Sequence, residues 1–280
     1  MGNKTARRGM PQNAALEVEH AALSDCGKIR EHNEDYLGRV IPATAEEGRA
    51  RGWLFALADG VGGQAQGEIA SRTAVESLLA GFRASAPGEP LAGLLPRLVQ
   101  SANHAVYETG MGAAPGGVAM ATTLVACALR YDRVVVAHVG DSRCYLIRRG
   151  HAASLTRDHT MASEQVRLGI ISSRQAEGAE GRHVLLRSLG SNLFANVESA
   201  EHLLVSGDLL VLCSDGLHGS VGAADIARLI NRSPTLDMAA QSLIELANER
   251  DGNDNSSVQL IRVRGVERVG MYRGRPYKLR

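Results

Sequence analysis

Aromatic side chains are scarce in this chain of 280 residues: three Phe, one Trp and six Tyr, 4% in all. That scarcity argues against a single-strand nucleic-acid binder, which needs aromatic platforms on which bases stack. A charge excess is missing as well. Lys and Arg number 31 against 30 Asp and Glu, a net charge of +1, so no one-signed field draws the chain to nucleic acid or to a membrane surface. No uninterrupted apolar run approaches the roughly 20 residues of a membrane helix, and no membrane span is expected. Cysteine is limited to Cys26, Cys127, Cys144 and Cys213, with no close pair. Three of them lie in or beside apolar runs, which reads as free buried thiols in a reducing compartment. The first twelve residues are polar and basic and lack the apolar core of a secretory signal. Gly2 suits N-myristoylation, but Ala6 stands where that motif wants Ser or Thr. Cytoplasm is the expected location.

What is present is globular composition, 44% hydrophobic and 22% charged, enough for a large core. Without internal repeats or a clear linker, the chain reads as one domain. Residues 1–15 look disordered, residues 42–52 read as a polar loop, and residues 265–280 as a basic solvated tail. Apolar runs at 20–23, 54–58, 122–129, 133–139, 144–147 and 257–263 read as strands. A further hairpin is expected from 201–205 and 208–213 around Ser206-Gly207. Ile69, Ala70, Ala74, Leu78 and Phe82 recur with helical period, as do Leu236, Ala239, Ala240, Leu243, Leu246 and Ala247. A third helix is expected over 91–107. Residues 160–182 read as a short helix followed by a mobile insertion. Strands joined by tight turns imply antiparallel sheets. Helix pairs between groups of strands favour an α+β sandwich with helices covering the sheets.

The chemistry gathers at strand ends. The run 54–58 ends in Asp59-Gly60, and the run 209–214 in Asp215-Gly216. Asp141 follows the strand 134–139 and Gly140, Asp254 precedes the last strand, and Glu34-Asp35 forms a further acidic pair. One such Asp is most simply a turn residue. Several converging carboxylates repel one another and need a cation, and all-oxygen ligands select Mg²⁺, Mn²⁺ or Ca²⁺ over Zn²⁺. Gly60 would let its carbonyl approach a metal. Arg30 lies four residues before Glu34, on the same face if the segment is extended. Its planar fork suits phosphate; a salt bridge to a neighbouring acid is the plainer alternative.

Taken in order, these stretches resemble the metal-dependent protein phosphatases of type two C, in their bacterial serine/threonine branch. The resemblance is carried by Ser24-Asp25 through Arg30-Glu31-His32-Asn33-Glu34-Asp35, by Ala58-Asp59-Gly60-Val61-Gly62-Gly63, and by Gly67-Glu68-Ile69-Ala70-Ser71 and Ala121-Thr122-Thr123-Leu124. It continues through Val139-Gly140-Asp141-Ser142-Arg143, Leu155-Thr156-Arg157-Asp158-His159-Thr160, Arg187-Ser188-Leu189-Gly190, Cys213-Ser214-Asp215-Gly216-Leu217 and Asp254-Asn255. It implies a four-layer α-β-β-α sandwich, two antiparallel sheets flanked by helix pairs, over a phosphatase domain at 16–264 with a mobile flap near 160–186. It further implies two Mn²⁺ or Mg²⁺ ions, with Asp59 as bridge, Asp215 and Asp254 on the first metal, and Glu34 and the Gly60 carbonyl on the second. Asp35 would orient a metal-bound water, Asp141 would help hold a third ion, and Arg30 would bind phosphate.

The implied reaction is hydrolysis of phosphoserine and phosphothreonine on proteins by a metal-activated water, opposing a serine/threonine kinase. The kinase or its targets would be among the substrates, and a monomer is expected. Departures from the family pattern are Gln64, Val61, Ala121 and Ser256-Ser257, none at an implied ligand. They leave the leaving-group acid unassigned, with a metal-bound water as the candidate. Two rivals remain. One is a catalytically weak regulatory or binding module of the same fold. The other is a cysteine phosphatase, suggested by the spacing of Cys127 and Arg133 but lacking a Gly-rich phosphate loop.

Overall fold

The computed structural model describes residues 15–61, 65–114, 116–176, 178–272 and 275–278. The expected disorder over residues 1–15 and the Gly-rich turn expected at Val61-Gly62-Gly63 lie, apart from residues 15 and 61, outside the described residues. In chain order the strands are β1 (Glu17–Asp25), β2 (Asp35–Val40), β3 (Trp53–Val61), β4 (Ala121–Thr122), β5 (Leu124–Arg130), β6 (Arg133–Val139), β7 (Arg143–Arg148), β8 (His151–Ser154), β9 (Glu198–Leu203), β10 (Leu209–Cys213), β11 (Ser256–Gly265), β12 (Val269–Tyr272) and β13 (Arg275–Lys278). The helices are α1 (Ala45–Ala50), α2 (Ala65–Arg83), α3 (Leu91–Gly112), α4 (Met161–Arg167), α5 (Ser173–Ala176), α6 (Asp215–His218), α7 (Ala223–Arg232) and α8 (Leu236–Arg250).

Two antiparallel sheets stack face to face, in the orders β1-β11-β10-β7-β8 and β2-β3-β5-β6-β9, with β4 added to β3. The central strands are buried on both faces, which is why they read as unbroken apolar runs. Along β3, Leu54, Ala56 and Ala58 pack under α2 and α3, while Phe55 and Leu57 alternate toward the other sheet. Along β10, Leu209, Val211 and Cys213 face α7 and α8, and Leu210 and Leu212 meet Phe55 and Leu57 between the sheets. The result is the expected α+β architecture of helices, sheet, sheet and helices. Among the described residues, no helix is long and apolar enough to cross a membrane.

Several local expectations are corrected. Residues 201–213 do not form a hairpin: β9 pairs with β6 in one sheet and β10 with β7 and β11 in the other. The turn between them carries the chain from sheet to sheet. Asp208 fixes that corner, accepting from the Val205 amide at 2.8 Å and from two Arg148 nitrogens at 2.8 and 2.7 Å. The polar stretch 42–52 contains α1, capped by Thr44, whose hydroxyl accepts from the Glu47 amide at 3.1 Å. Its Thr-x-x-Glu spacing is a capping signature. Helix α7 was not expected either, although Ile226, Ala227 and Ile230 are buried on one stripe. Ile69 is 42% exposed, unlike its stripe partners Ala70, Ala74, Leu78 and Phe82.

The 160–186 region holds α4, α5 and a 3₁₀ turn at Glu180–His183. Its two ends are tied together, Met161 N to Val184 O at 2.9 Å and Leu186 N to His159 O at 2.8 Å. Beyond β11, the β12–β13 pair forms a small separate sheet, and Glu267 accepts from Arg49 Nε at 2.7 Å.

Phe55 is fully enclosed where the sheets meet. Phe55→Ala should therefore destabilise the protein by about 3–5 kcal/mol, read as a lowered urea midpoint with an unchanged slope.

Candidate active site

One end of the sandwich collects the acids because strand register puts them there. Asp35 opens β2 directly opposite Asp59 near the end of β3. Asp215 follows β10 by two residues and begins α6, Asp254 lies two residues before β11, and Asp141 lies two residues past β6. Glu34, Asp59, Gly60, Asp141, Asp215 and Asp254, with Arg30, line one cavity of about 750 Å³. Asp35 sits beside it, 8% exposed.

The main chain under these acids is held by polar side chains from distant elements. Asn255 Oδ1 accepts from Glu34 N at 2.8 Å, and its Nδ2 donates to Cys26 O at 2.9 Å and His32 O at 3.0 Å. The Ser214 hydroxyl donates to Asp35 Oδ2 at 2.8 Å and accepts from Ser257 N at 3.0 Å. Thr123 Oγ1 accepts from Asp59 N at 3.1 Å, while Thr122 Oγ1 donates to Asp59 O at 2.7 Å. The sequence motifs contain Asn255, Ser214 and Thr123 but give no sign of these contacts, because the partners are far apart in the chain. Arg30 and Glu34 are not on one extended face, since residues 27–29 form a turn and 31–32 a bend. Arg30 Nη2 lies 3.0 Å from Asp254 Oδ1, both half exposed on the rim.

Crowded carboxylates pay in protonation. Burial first, then Asp35, Asp215, Asp141 and Asp254, hold Asp59 well above the usual carboxylate range. Burial also pushes Asp35 up to about 7, only partly offset by the Ser257 and Ser214 hydroxyls. Asp141 rises to about 7 through burial and then Asp215. Glu34 and Asp254 are raised as well, burial again leading. Asp215 goes the other way: burial pushes it up, but His183, His218 and Asp59 outweigh that and leave it below its ordinary value. His183, from the 3₁₀ turn, brings Nδ1 to 3.7 Å from Asp215 Oδ2, which raises the imidazole. These groups share protons because they cannot all ionise together.

Divalent cations fit this donor set. Glu34 Oε1 and Asp35 Oδ1 are buried with no hydrogen-bond partner among the described residues, a costly arrangement unless something binds there. The donors are all oxygens, which suits hard cations. Space is kept open by glycine: a Cβ on Gly67 would lie 2.7 Å from the Glu34 carboxyl carbon, and one on Gly60 would lie 2.3 Å from Gly67 O. The sequence profile described as protein phosphatase 2C matches residues 31–255.

The chain belongs to the protein phosphatase 2C family.

Its similarity to individual members runs over most of its length. It is 34% identical over 257 residues to the serine/threonine phosphatase stp of Listeria innocua, covering 90% of this chain and 96% of the relative. The solved serine/threonine phosphatase of S. agalactiae superposes with a TM-score of 0.80 at 33% identity, over 88% of this chain and 100% of that one. The catalytic domain of the serine/threonine protein phosphatase PstP, solved with two manganese ions, superposes with a TM-score of 0.74 at 32% identity, over 89% and 99%.

In this phosphatase 2C chain, the cysteine route has no physical basis. Cys127 is fully buried in mid-strand, burial pushes its thiol far up, and Arg133 points to Glu201 Oε1 at 2.6 Å. A second polar cluster, His138, His159 and Glu198, brings its ligand atoms within 4.8 Å of one another. Its hydrogen bonds indicate packing instead. His159 Nδ1 accepts from Gly140 N at 3.2 Å, which leaves Nε2 to donate to Glu198 Oε2 at 3.3 Å. His138 Nε2 meets Arg157 O at 2.9 Å.

A stability test follows from the raised carboxyls. Between about pH 4 and 7 the folded chain binds more protons at Asp35, Asp59 and Asp141 than the unfolded chain does, so its stability falls as pH rises through that window. In chelator, the melting temperature should drop by several degrees from pH 5 to pH 8. Added Mn²⁺ should raise it more at pH 8 than at pH 5, as scanning fluorimetry will read, and Asp59→Asn should flatten the pH dependence.

Proposed function

We propose that the chain hydrolyses phosphoserine and phosphothreonine monoesters on proteins in the cytoplasm, opposing a serine/threonine kinase. The observation that carries this reading is the convergence of carboxylates on one cavity with an arginine at its rim, Glu34 in its wall and Asp35 beside it each keeping an unpartnered buried oxygen. Asp59 is the candidate bridge between two Mn²⁺ or Mg²⁺ ions. Asp215 and Asp254 would complete one site, Glu34 and the Gly60 carbonyl the other, and Asp141 with Asp215 an outer third. When bound, such ions supply Lewis acidity, acidifying a coordinated water and neutralising charge on the phosphoryl group.

The chain's own residues would do the rest. Asp35 is held at Oδ2 by Ser214, which leaves Oδ1 to accept a proton from the attacking water and fix its direction. Water adds its oxygen to phosphorus as the bond to the Ser or Thr oxygen breaks; that oxygen takes a proton from solvent water and leaves as the alcohol, and the proton held by Asp35 returns to solvent. Arg30 engages Asp254 through Nη2, and the rest of its planar fork would meet phosphoryl oxygens. Their charge develops in the transition state, where such contacts count most. No observation favours the weak binding-module reading, which would need degenerate acids, and every implied acid is present.

The test is hydrolysis of phosphoserine, phosphothreonine and phosphotyrosine peptides with and without Mn²⁺. Activity on the first two should require Mn²⁺ or Mg²⁺ and should fall by at least about 100-fold in Asp215→Ala and Asp59→Asn, the order of loss when a transition-state contact is removed. Full activity after thorough chelation would overturn the reading.

A further inference from the structure

Asp141 stands on a turn between β6 and β7 that no strand register fixes. The turn depends on Gly140, at φ +106, where a Cβ would lie 2.6 Å from Thr123 Cγ2. Two histidines grip it. His159 makes a reciprocal pair with Gly140: its amide donates to Gly140 O at 3.0 Å, and its Nδ1 accepts from Gly140 N at 3.2 Å. His218 brings Nε2 to 2.9 Å from Asp141 O. A carbonyl only accepts, so Nε2 carries the proton in this contact.

His218 is the last residue of α6, and Asp215 is the first. One imidazole thus ties the backbone of Asp141 to the short helix that carries Asp215. Asp141, Asp215 and His218 also share the wall of a neighbouring cavity of about 700 Å³. Neither the sequence motifs nor the proposed chemistry gives His218 a role.

We propose that His218 is a positioning residue for the outer cation position: its Nε2–H holds the Asp141 turn against α6, sets the spacing of the Asp141 and Asp215 carboxylates, and so sets metal affinity there. The proposal rests on the reading of Asp141 and Asp215 as metal ligands. Partners that orient a ligand from behind are worth about 10- to 100-fold in metal affinity.

The experiment is equilibrium Mn²⁺ binding to the full chain, by calorimetry and by the electron paramagnetic resonance signal of free Mn²⁺. The proteins compared are wild type, His218→Leu, His218→Gln and Asp141→Asn, each checked for melting temperature. Wild type should show tight binding and a separate weaker class that Asp141→Asn abolishes. His218→Leu should weaken that class by at least about tenfold and leave the tight class within about twofold. His218→Gln, whose Nε2 can still donate to the Asp141 carbonyl, should recover most of the loss. An unchanged weak class in His218→Leu, or equal losses in both classes, overturns the proposal. So does an isotherm that Asp141→Asn leaves unaltered, because the target of the positioning is then absent. Normal Mn²⁺ binding without phosphopeptide hydrolysis would instead overturn the proposed function and leave the positioning role standing.

Discussion

Repulsion among carboxylates fixed at one end of two stacked sheets is the constraint on which the rest of this molecule depends. Asp35 and Asp59 face each other across a strand pair, and Asp215 and Asp254 come in from the other sheet. Left alone, Asp35 and Asp59 hold protons well above the usual carboxylate range. A fold optimised for stability would not place them together. The chain keeps them there by burying strands such as β3 and β10 on both faces, so that hydrophobic packing supplies what the charged edge costs.

That edge is shaped by uncharged groups. Asn255, Ser214 and Thr123 satisfy backbone groups and one oxygen of Asp35, and they leave other carboxylate oxygens unpartnered. Since a buried unpaired acceptor is expensive, the arrangement makes sense where a ligand meets it. Glycine contributes by omission: a methyl group at Gly67 would run into the Glu34 carboxylate, and one at Gly60 into the Gly67 backbone.

Much of this could be read in the sequence. The Asp59-Gly60 and Asp215-Gly216 strand ends stood out because an acid closes an apolar run, and the alternation along β3 and β10 is that of strands covered on both sides. The sheet partner of β9 was not legible. A Ser-Gly turn between two apolar runs looks the same whether the chain folds back or crosses to another sheet, and Asp208 with its distant partner Arg148 decides the matter. Asn255 was visible as a motif residue, but its grip on Glu34 spans 221 positions. No periodicity carries that information. By contrast, α1 and α7 left local signals: the Thr44-x-x-Glu47 cap and the Ile226–Ile230 stripe.

The acids are held in two different ways, and this bears on how firmly each is placed. Asp35 and Asp59 are set by the register of the β2–β3 ladder, which cannot slip by one residue without turning every side chain to the other face. Asp215 inherits its place from β10 through Ser214, whose hydroxyl bridges Asp35 and the Ser257 amide. Asp141 has no such ladder. Its turn hangs on a glycine at positive φ, one histidine from the root of the 160–186 region and another from α6. Residues Gly140 and Leu186 both bond to His159, so a shift of that region reaches Asp141 through one imidazole-bearing residue. The inner positions therefore follow from the architecture, and the outer one from a few side chains that can change without changing the fold.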